Sequence, residues 1–363
     1  MKHDWKYIKL GDIISPAKVV RNGANKKFPV LSITMRDGIV LQSSRFKKSI
    51  ASVDTSDYKV VYNGQLVIAF PIDEGLIYTQ DIVDAGIMSP AYNVWNVDFL
   101  EIDRKFLVLY LHCPFSMAYY KSKLRGTTMR RRSMPKEDLL NMPLPVPSFS
   151  VQQSIVSELD KINELIRLKK EQLKDYDNLA QSIFYEMFGD PVVNEKGWEV
   201  KKFADLYKLK SGDSLSAKNF VEGEIPVYGG NGISGYHNDF NMDGDFIIIG
   251  RVGVYCGNVR EVHGKFWLTD NAFQLFYSRE IQSPCFIHYL LEILDLHKYA
   301  NAAAQPVISN LTLKDVEIII PPLSLQQLFA QRIELIEQQK AEIQSTMADL
   351  ETLLASRMQY WFD

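Results

Sequence analysis

The chain has 363 residues, 46% of them hydrophobic and 23% charged, with a formal charge of −3; this suits two globular domains and excludes a disordered or fibrous chain. No stretch reaches the roughly 18 consecutive apolar residues of a membrane span, and the opening MKHDWKYIKLGD lacks the apolar core of a secretory leader. Cys113, Cys256 and Cys285 are too dispersed for a disulfide framework or a zinc centre and read as reduced thiols of a cytoplasmic protein.

Charge is distributed unevenly. Residues 1–146 hold 21 Lys and Arg against 14 Asp and Glu, whereas residues 147–363 hold 20 against 30, so the first part can attract a polyanion. In chain order, the first part offers the strand-like segments DWKYIKLGDI (4–13), FPVLSI (28–33), NGQLVIAF (63–70) and SPAYNV (89–94). Next comes KSKLRGTTMRRRSMPK (121–136), with seven basic residues and no acidic one. It reads either as a solvated loop or as a phosphate-contacting one, where Gly126, Thr127 and Thr128 let backbone and hydroxyls come close. The apolar, proline-bearing run NMPLPVP then leads into PSFSVQQ (147–153), and residues 148–188 contain no Gly or Pro.

The second part repeats the first. GWEVKKFADL (197–206), IPVYGG (225–230), DGDFIIIG (243–250), DNAFQL (270–275), DVEIIIP and PPLSLQQ (321–327) follow in the same order, with shifts between 174 and 197 residues. A repeat of this kind makes one supersecondary unit used twice the most economical reading. Each copy is a mixed strand-rich globule followed by a long helix.

The helices read closely. Ser150-x-x-Gln153 and Ser324-x-x-Gln327 have the capping-box spacing and predict the two helix starts. Ile155, Leu159, Ile162, Ile166, Lys169, Leu173, Tyr176, Ala180, Ile183 and Met187 step by alternating fours and threes, as do Phe329, Ile333, Ile336, Lys340, Ile343, Met347, Leu350, Leu354, Arg357 and Trp361. That is the 3.5-residue period of a supercoiled pair. A single-stripe helix cannot bury its seam alone, so the two rods are expected to pack antiparallel, each roughly 57 Å long at ~1.5 Å per residue. Gly189 should end the first and Pro191 prevent its continuation. Two unrelated surface helices are the competing reading. The expected product is a dumbbell of two globules on a stiff spacer.

VYGGNGISGY (227–236) contains both a Gly-x-Gly-x-x-Gly turn and an aromatic-x-Gly-x-Gly turn, the spacings of dinucleotide and S-adenosylmethionine (SAM) sites. A dinucleotide turn must be followed by a helix whose N-terminus holds the pyrophosphate, but YHNDFNMDGDF follows, without helical period. The matching FPVLSITMRDG has no glycine cluster. A strand entering a loop that lies close to a ligand is the better expectation. There is no phosphate-loop motif, no Asn-Pro-Pro-Tyr and no Gly-x-Ser-x-Gly, and no metal-ligating cluster, so the chain reads as non-catalytic.

These marks together resemble the specificity (S) subunits of type I restriction–modification enzymes. The resemblance spans essentially the whole chain. It rests on the two Pro-x-x-Ser-hydrophobic-Gln-Gln helix starts, the globule–helix–globule–helix order, MFGDP closing the first rod, LRGTTMRRRS, and GRVGVYCGNV with WLTDNAF. It implies an α+β fold of two target-recognition globules, residues 1–147 and 191–321, joined by antiparallel coiled-coil helices, 148–190 and 322–363, about a pseudo-twofold repeat. It implies that each globule reads half of a bipartite DNA target while the helix pair sets the gap and docks two modification subunits. No cofactor is expected in this chain. SAM would belong to the modification subunits, and ATP and Mg to restriction subunits, in a bacterial or archaeal cytoplasm without membrane association. The DNA-contact candidates are Arg36, Arg125, Thr127, Thr128, Arg130, Arg131 and Arg132 in the first globule, and Asn231, Arg251, Lys265 and Gln305 on loops of the second. Residues 191–321 hold 12 basic against 16 acidic residues, so a DNA face there must be a local patch. The alternatives are an S-like subunit of a methylation-only or other defence assembly, and a SAM-dependent DNA methyltransferase using the glycine turn.

Overall fold

The computed structural model describes residues 4–23, 28–35, 37–45, 54–125, 134–301 and 305–362. The chain divides into two compact units: Met1–Leu168 with Thr346–Asp363, and Lys169–Ser345. Each long helix contributes to both.

In the first unit a four-stranded sheet runs in the order Ile14–Pro16, Asn93–Val97, Leu66–Ile68, Ile77–Thr79, accompanied by three two-stranded pairs. Helices Arg104–Leu111 and Pro114–Lys123 follow. Asp103 caps the first by accepting the Phe106 N–H at 3.0 Å, and Pro114 sits in the first turn of the second, where its missing N–H costs nothing. In the second unit the described strands form one six-stranded sheet, in the order Lys208–Ser211, Ala272–Phe276, Met242–Gly250, Val259–Leu268, Ile225–Gly229, Gly232–His237, plus the pair Glu199–Lys202 with Glu317–Ile320. The sheets differ for a local reason. The first unit breaks its chain between Lys59–Tyr62 and Leu66–Ile68 with a turn at Gly64 (φ 84°), where the second has one nine-residue strand, Met242–Gly250.

The repeat holds at the level of register. Lys6 faces Val146 as Glu199 faces Ile320, and Ile68 faces Asn93 as Ile248 faces Gln274. The parallel bridge of Val30 with Ile87 recurs as Val227 with Trp267. Because strand side chains alternate faces, a slip of one residue in any of these would turn a buried set outward.

The long helices run Phe149–Phe188 and Leu323–Phe362. Ser150 and Ser324 already lie inside them, so the expected capping boxes do not start the helices. The first glutamine of each Gln-Gln pair does something else. Gln152 is fully buried; its Oε1 accepts the Asp103 N–H at 2.6 Å and its Nε2 donates to Glu101 O and Pro147 O, both at 2.9 Å. Gln326, equally buried, accepts the Ser283 N–H at 2.9 Å and donates to Ile281 O at 3.1 Å and Pro321 O at 2.8 Å. At the far end Gly189 takes φ +76°, and its N–H meets Tyr185 O at 2.9 Å, closing the first helix.

The seam follows the 3.5 period. Every position in both series above is buried or half-buried, with Ile155, Leu159, Ile162, Ile166, Phe329, Ile333, Ile336 and Ile343 at 7% exposure or less. Leu173, Met347 and Leu350 are half-buried. The pairing is antiparallel within each unit: Glu158 meets Arg357 in the first, and Asp177 meets Lys340 in the second. Apolar helix ends anchor the rods on the globules. Phe188 packs 4.8 Å from Phe286 and 5.3 Å from Phe329, and its repeat counterpart Phe362 packs 5.6 Å from Phe106 and 5.7 Å from Tyr110. Burying one such ring contributes roughly 1.5–3 kcal/mol.

Candidate nucleic-acid interface

In the second unit, VYGGNGISGY forms a hairpin, with strands Ile225–Gly229 and Gly232–His237 and Asn231 exposed at its turn. The strand Met242–Gly250 follows, so this hairpin lacks the strand–turn–helix form of a dinucleotide turn. The glycines serve the protein's own packing. A Cβ on Gly230 would lie 2.9 Å from Val252 O, one on Gly250 2.4 Å from Gly230 O, and one on Gly235 2.4 Å from the Phe220 ring. At these three positions the absence of a side chain is used for close approach of the protein's own loops and strands.

That approach gathers three candidates. The turn at Asn231 abuts Val252, the Gly253 N–H donates to Pro306 O at 2.9 Å, and Val252 bridges Val307, so Asn231, Arg251 and Gln305 belong to one loop cluster. Val254 and Tyr255 stand out from it, 78% and 50% exposed. Arg251 is half-buried and held by its own globule. Its Nη1 donates to Ser211 Oγ at 3.0 Å and Asp270 O at 3.3 Å, and its guanidinium lies over Phe273 at 5.4 Å. These contacts brace the cluster, and Asn231 and Gln305 are both exposed. Lys265 is not on a loop. It lies in the strand Val259–Leu268 opposite Asp243, with its ammonium 4.6 Å above the Phe240 ring.

In the first unit, Arg36, Thr127, Thr128, Arg130, Arg131 and Arg132 lie outside the described residues. Arg125, 76% exposed, places Nη2 3.3 Å from Asp138 Oδ2, and Lys123 Nζ lies 3.8 Å from Oδ1 of the same carboxylate. A cationic cleft that sequence reading missed lies nearby. Lys18, Lys59 and Lys136 line it with Asn93 and Trp95, and Arg21 bridges to Lys59. Burial and the charge of Arg21 push the Lys59 ammonium below its usual pKa range. An anion there would oppose both effects by favouring the charged ammonium. Its members are far apart in sequence; only Lys136 belonged to the basic run.

Nucleophile chemistry finds no support at the one Cys–His contact among the described residues. Cys256 Sγ lies 3.2 Å from His297 Nδ1, but the thiol is 1% exposed and burial raises its pKa, the opposite of an activated thiolate. Among the described residues no group of His, Cys, Asp and Glu is arranged to hold a metal ion, and no helix is long and apolar enough to cross a membrane.

Relatives agree with this architecture. The specificity subunit of the EcoprrI type I restriction enzyme of Escherichia coli is 30% identical over 241 residues, covering 62% of this chain and 58% of that protein. The MjaVIII specificity subunit of Methanocaldococcus jannaschii is 20% identical, covering 92% of this chain and 86% of its own length. This chain therefore spans under two thirds of the E. coli relative. In fold, it resembles the S subunit of a type I restriction–modification system from M. genitalium, with TM-score 0.54 and 16% identity over 100% of this chain and 97% of that one. It also resembles a chain solved in work on complex assembly and conformational transition of the type I R-M system, with TM-score 0.61 and 19% identity over 99% and 97%. The family described as the type I restriction modification DNA specificity domain matches residues 2–175 and again 195–349: the chain belongs to that family.

Proposed function

We propose that the chain is the DNA-reading subunit of a type I complex, each globule recognising one half of a bipartite target. The observation that carries this reading is the doubling itself: the family match occurs twice, and both copies keep the same strand registers and the same glutamine contact with a long helix. A gapped site needs two readers at a fixed separation. Roughly 34 Å separates half-sites one helical turn apart, and each 40-residue helix is about 60 Å long.

In this reading, the loop cluster with Asn231 and Gln305 reads base edges in the second half-site, since amide side chains suit adenine. The segment from Arg125 through Arg132 and the cleft of Lys18, Lys59 and Lys136 hold phosphates in the first. The exposed faces of the helix pair take two modification subunits, which bring SAM and methylate adenine. Restriction subunits using ATP and Mg would add cleavage. The chain itself supplies recognition and contributes no catalytic group.

The test is co-expression with the modification subunits in a methylation-free host, followed by genome-wide mapping of methylated adenines. A bipartite motif with a constant gap is expected. A continuous motif, or methylation unchanged when the chain is omitted, would overturn the reading.

A further inference from the structure

The glutamine that opens each rod is spent in a way that packing alone does not require. Gln152 and Gln326 are fully buried, and each carries its planar amide between two chain segments. On the rod side, the Nε2 donates to the proline carbonyl just before the helix, Pro147 or Pro321. On the globule side, the same amide donates to Glu101 O or Ile281 O and accepts from the N–H of Asp103 or Ser283. Asp103 and Ser283 are themselves the N-caps of the globule helices Arg104–Leu111 and Pro284–Leu294. Each amide thus fastens the first turn of a rod to the first turn of a globule helix.

A buried apolar contact tolerates small rotations, because dispersion and burial are not directional. Three hydrogen bonds to one flat group do not, since they weaken steeply with misalignment. We infer that Gln152 and Gln326 are positioning residues for recognition, hinge pins that fix the angle of each globule on its rod and thereby determine how strictly the complex selects the gap between half-sites. The inference rests on the bipartite-reader function proposed above. Its particular content is that gap strictness resides in these two amides, and that half-site sequence does not.

The experiment uses the assembled methyltransferase and duplexes carrying the mapped half-sites at the native gap and at gaps one and two base pairs shorter or longer. Gln152→Met and Gln326→Met keep length and volume and remove all three hydrogen bonds; Gln152→Glu and Gln326→Glu keep the acceptor. In each Met variant the ratio of methylation at native over altered gaps should fall roughly tenfold, the scale of losing buried hydrogen-bond partners. Discrimination against single-base changes within the half-sites should stay as it is, and the Glu variants should fall between. A lower melting temperature with an unchanged gap ratio would mean that the glutamines only stabilise the fold, and would overturn the inference. So would failure of all four variants to fold, because a residue that only sets an angle is not needed to reach the native state. If the unsubstituted complex shows no gap preference, the bipartite reading itself fails, a different result from a variant that keeps it.

Discussion

Arg357 and Glu158, 199 residues apart, close the first unit's helix pair: the guanidinium meets the carboxylate through Nε and through Nη2 at 3.2 Å, and Trp361 Nε1 adds a third donor at 3.1 Å. Arg357 occupies a seam position by spacing, yet its charge leaves the seam to reach Glu158. The hydrogen bond from Arg357 holds the Glu158 carboxyl below its usual pKa, against an opposing desolvation and with help from Trp361. A depressed carboxyl contributes stability above its unfolded pKa and loses it as pH falls through the folded one. Arg357→Met should therefore lower the melting temperature near neutral pH and flatten its decline on acidification. Melting curves between about pH 7 and pH 3 check this; an equal decline in both proteins would show that the pair is inert.

His288 behaves in the opposite sense. Burial pushes its pKa down, but hydrogen bonds and charges of Glu261 and Glu292 outweigh that and hold it up at about 9. A histidine raised above its unfolded value gives stability that is complete below about 6.5 and is lost as pH rises through 9. We expect the denaturation midpoint to fall across that window, and His288→Asn to remove most of the fall. An NMR titration of the imidazole checks the value directly.

Burial separates two neighbouring positions on the first rod. Ile162 is 7% exposed and Leu165 47%. Ile162→Ala should cost about 2–4 kcal/mol by urea denaturation, and Leu165→Ala no more than about 0.5. If Leu165→Ala nonetheless reduces capture of the modification subunits, the exposed face of the rod is their docking surface.

Lengthening the rods tests the ruler. One heptad inserted after Leu173 and one after Met347 preserve the seam phase and extend each helix by ~10.5 Å, roughly 3 bp of DNA at 3.4 Å per step. The added rise also turns the second half-site by roughly 100°, given about 10.5 bp per turn. The expected methylome keeps both half-sites, widens the gap and loses activity. Retention of the old gap at full activity would show that the rods do not set it.

What could be read from the sequence divides by range. The seam was legible because its information is local: one apolar residue every three or four, repeated over five heptads. The doubling was legible for the same reason, since each half restates the other. Ser150 and Ser324 misled because Ser-x-x-Gln fits a capping box as well as a first turn, and only the fold shows the preceding glutamine reaching 49 residues back to Asp103. The contact of Arg251 with Ser211, 40 residues earlier, was not legible because nothing nearby in sequence reveals it. The cleft of Lys18, Lys59 and Lys136 was not legible because only the fold brings residues so far apart in sequence together.

The anchoring of Phe362 between Phe106 and Tyr110, with Trp361 stacked 6.4 Å from Trp5, has a temporal consequence. The first unit needs residues 346–363, whereas the second is complete within 169–345. A chain emerging from the ribosome therefore carries its amino-terminal globule unfinished while the second unit already has every segment it needs, inverting the usual order in which N-terminal domains fold first. Until residues 346–362 are made, the first unit lacks the ring that packs on Phe106 and Tyr110.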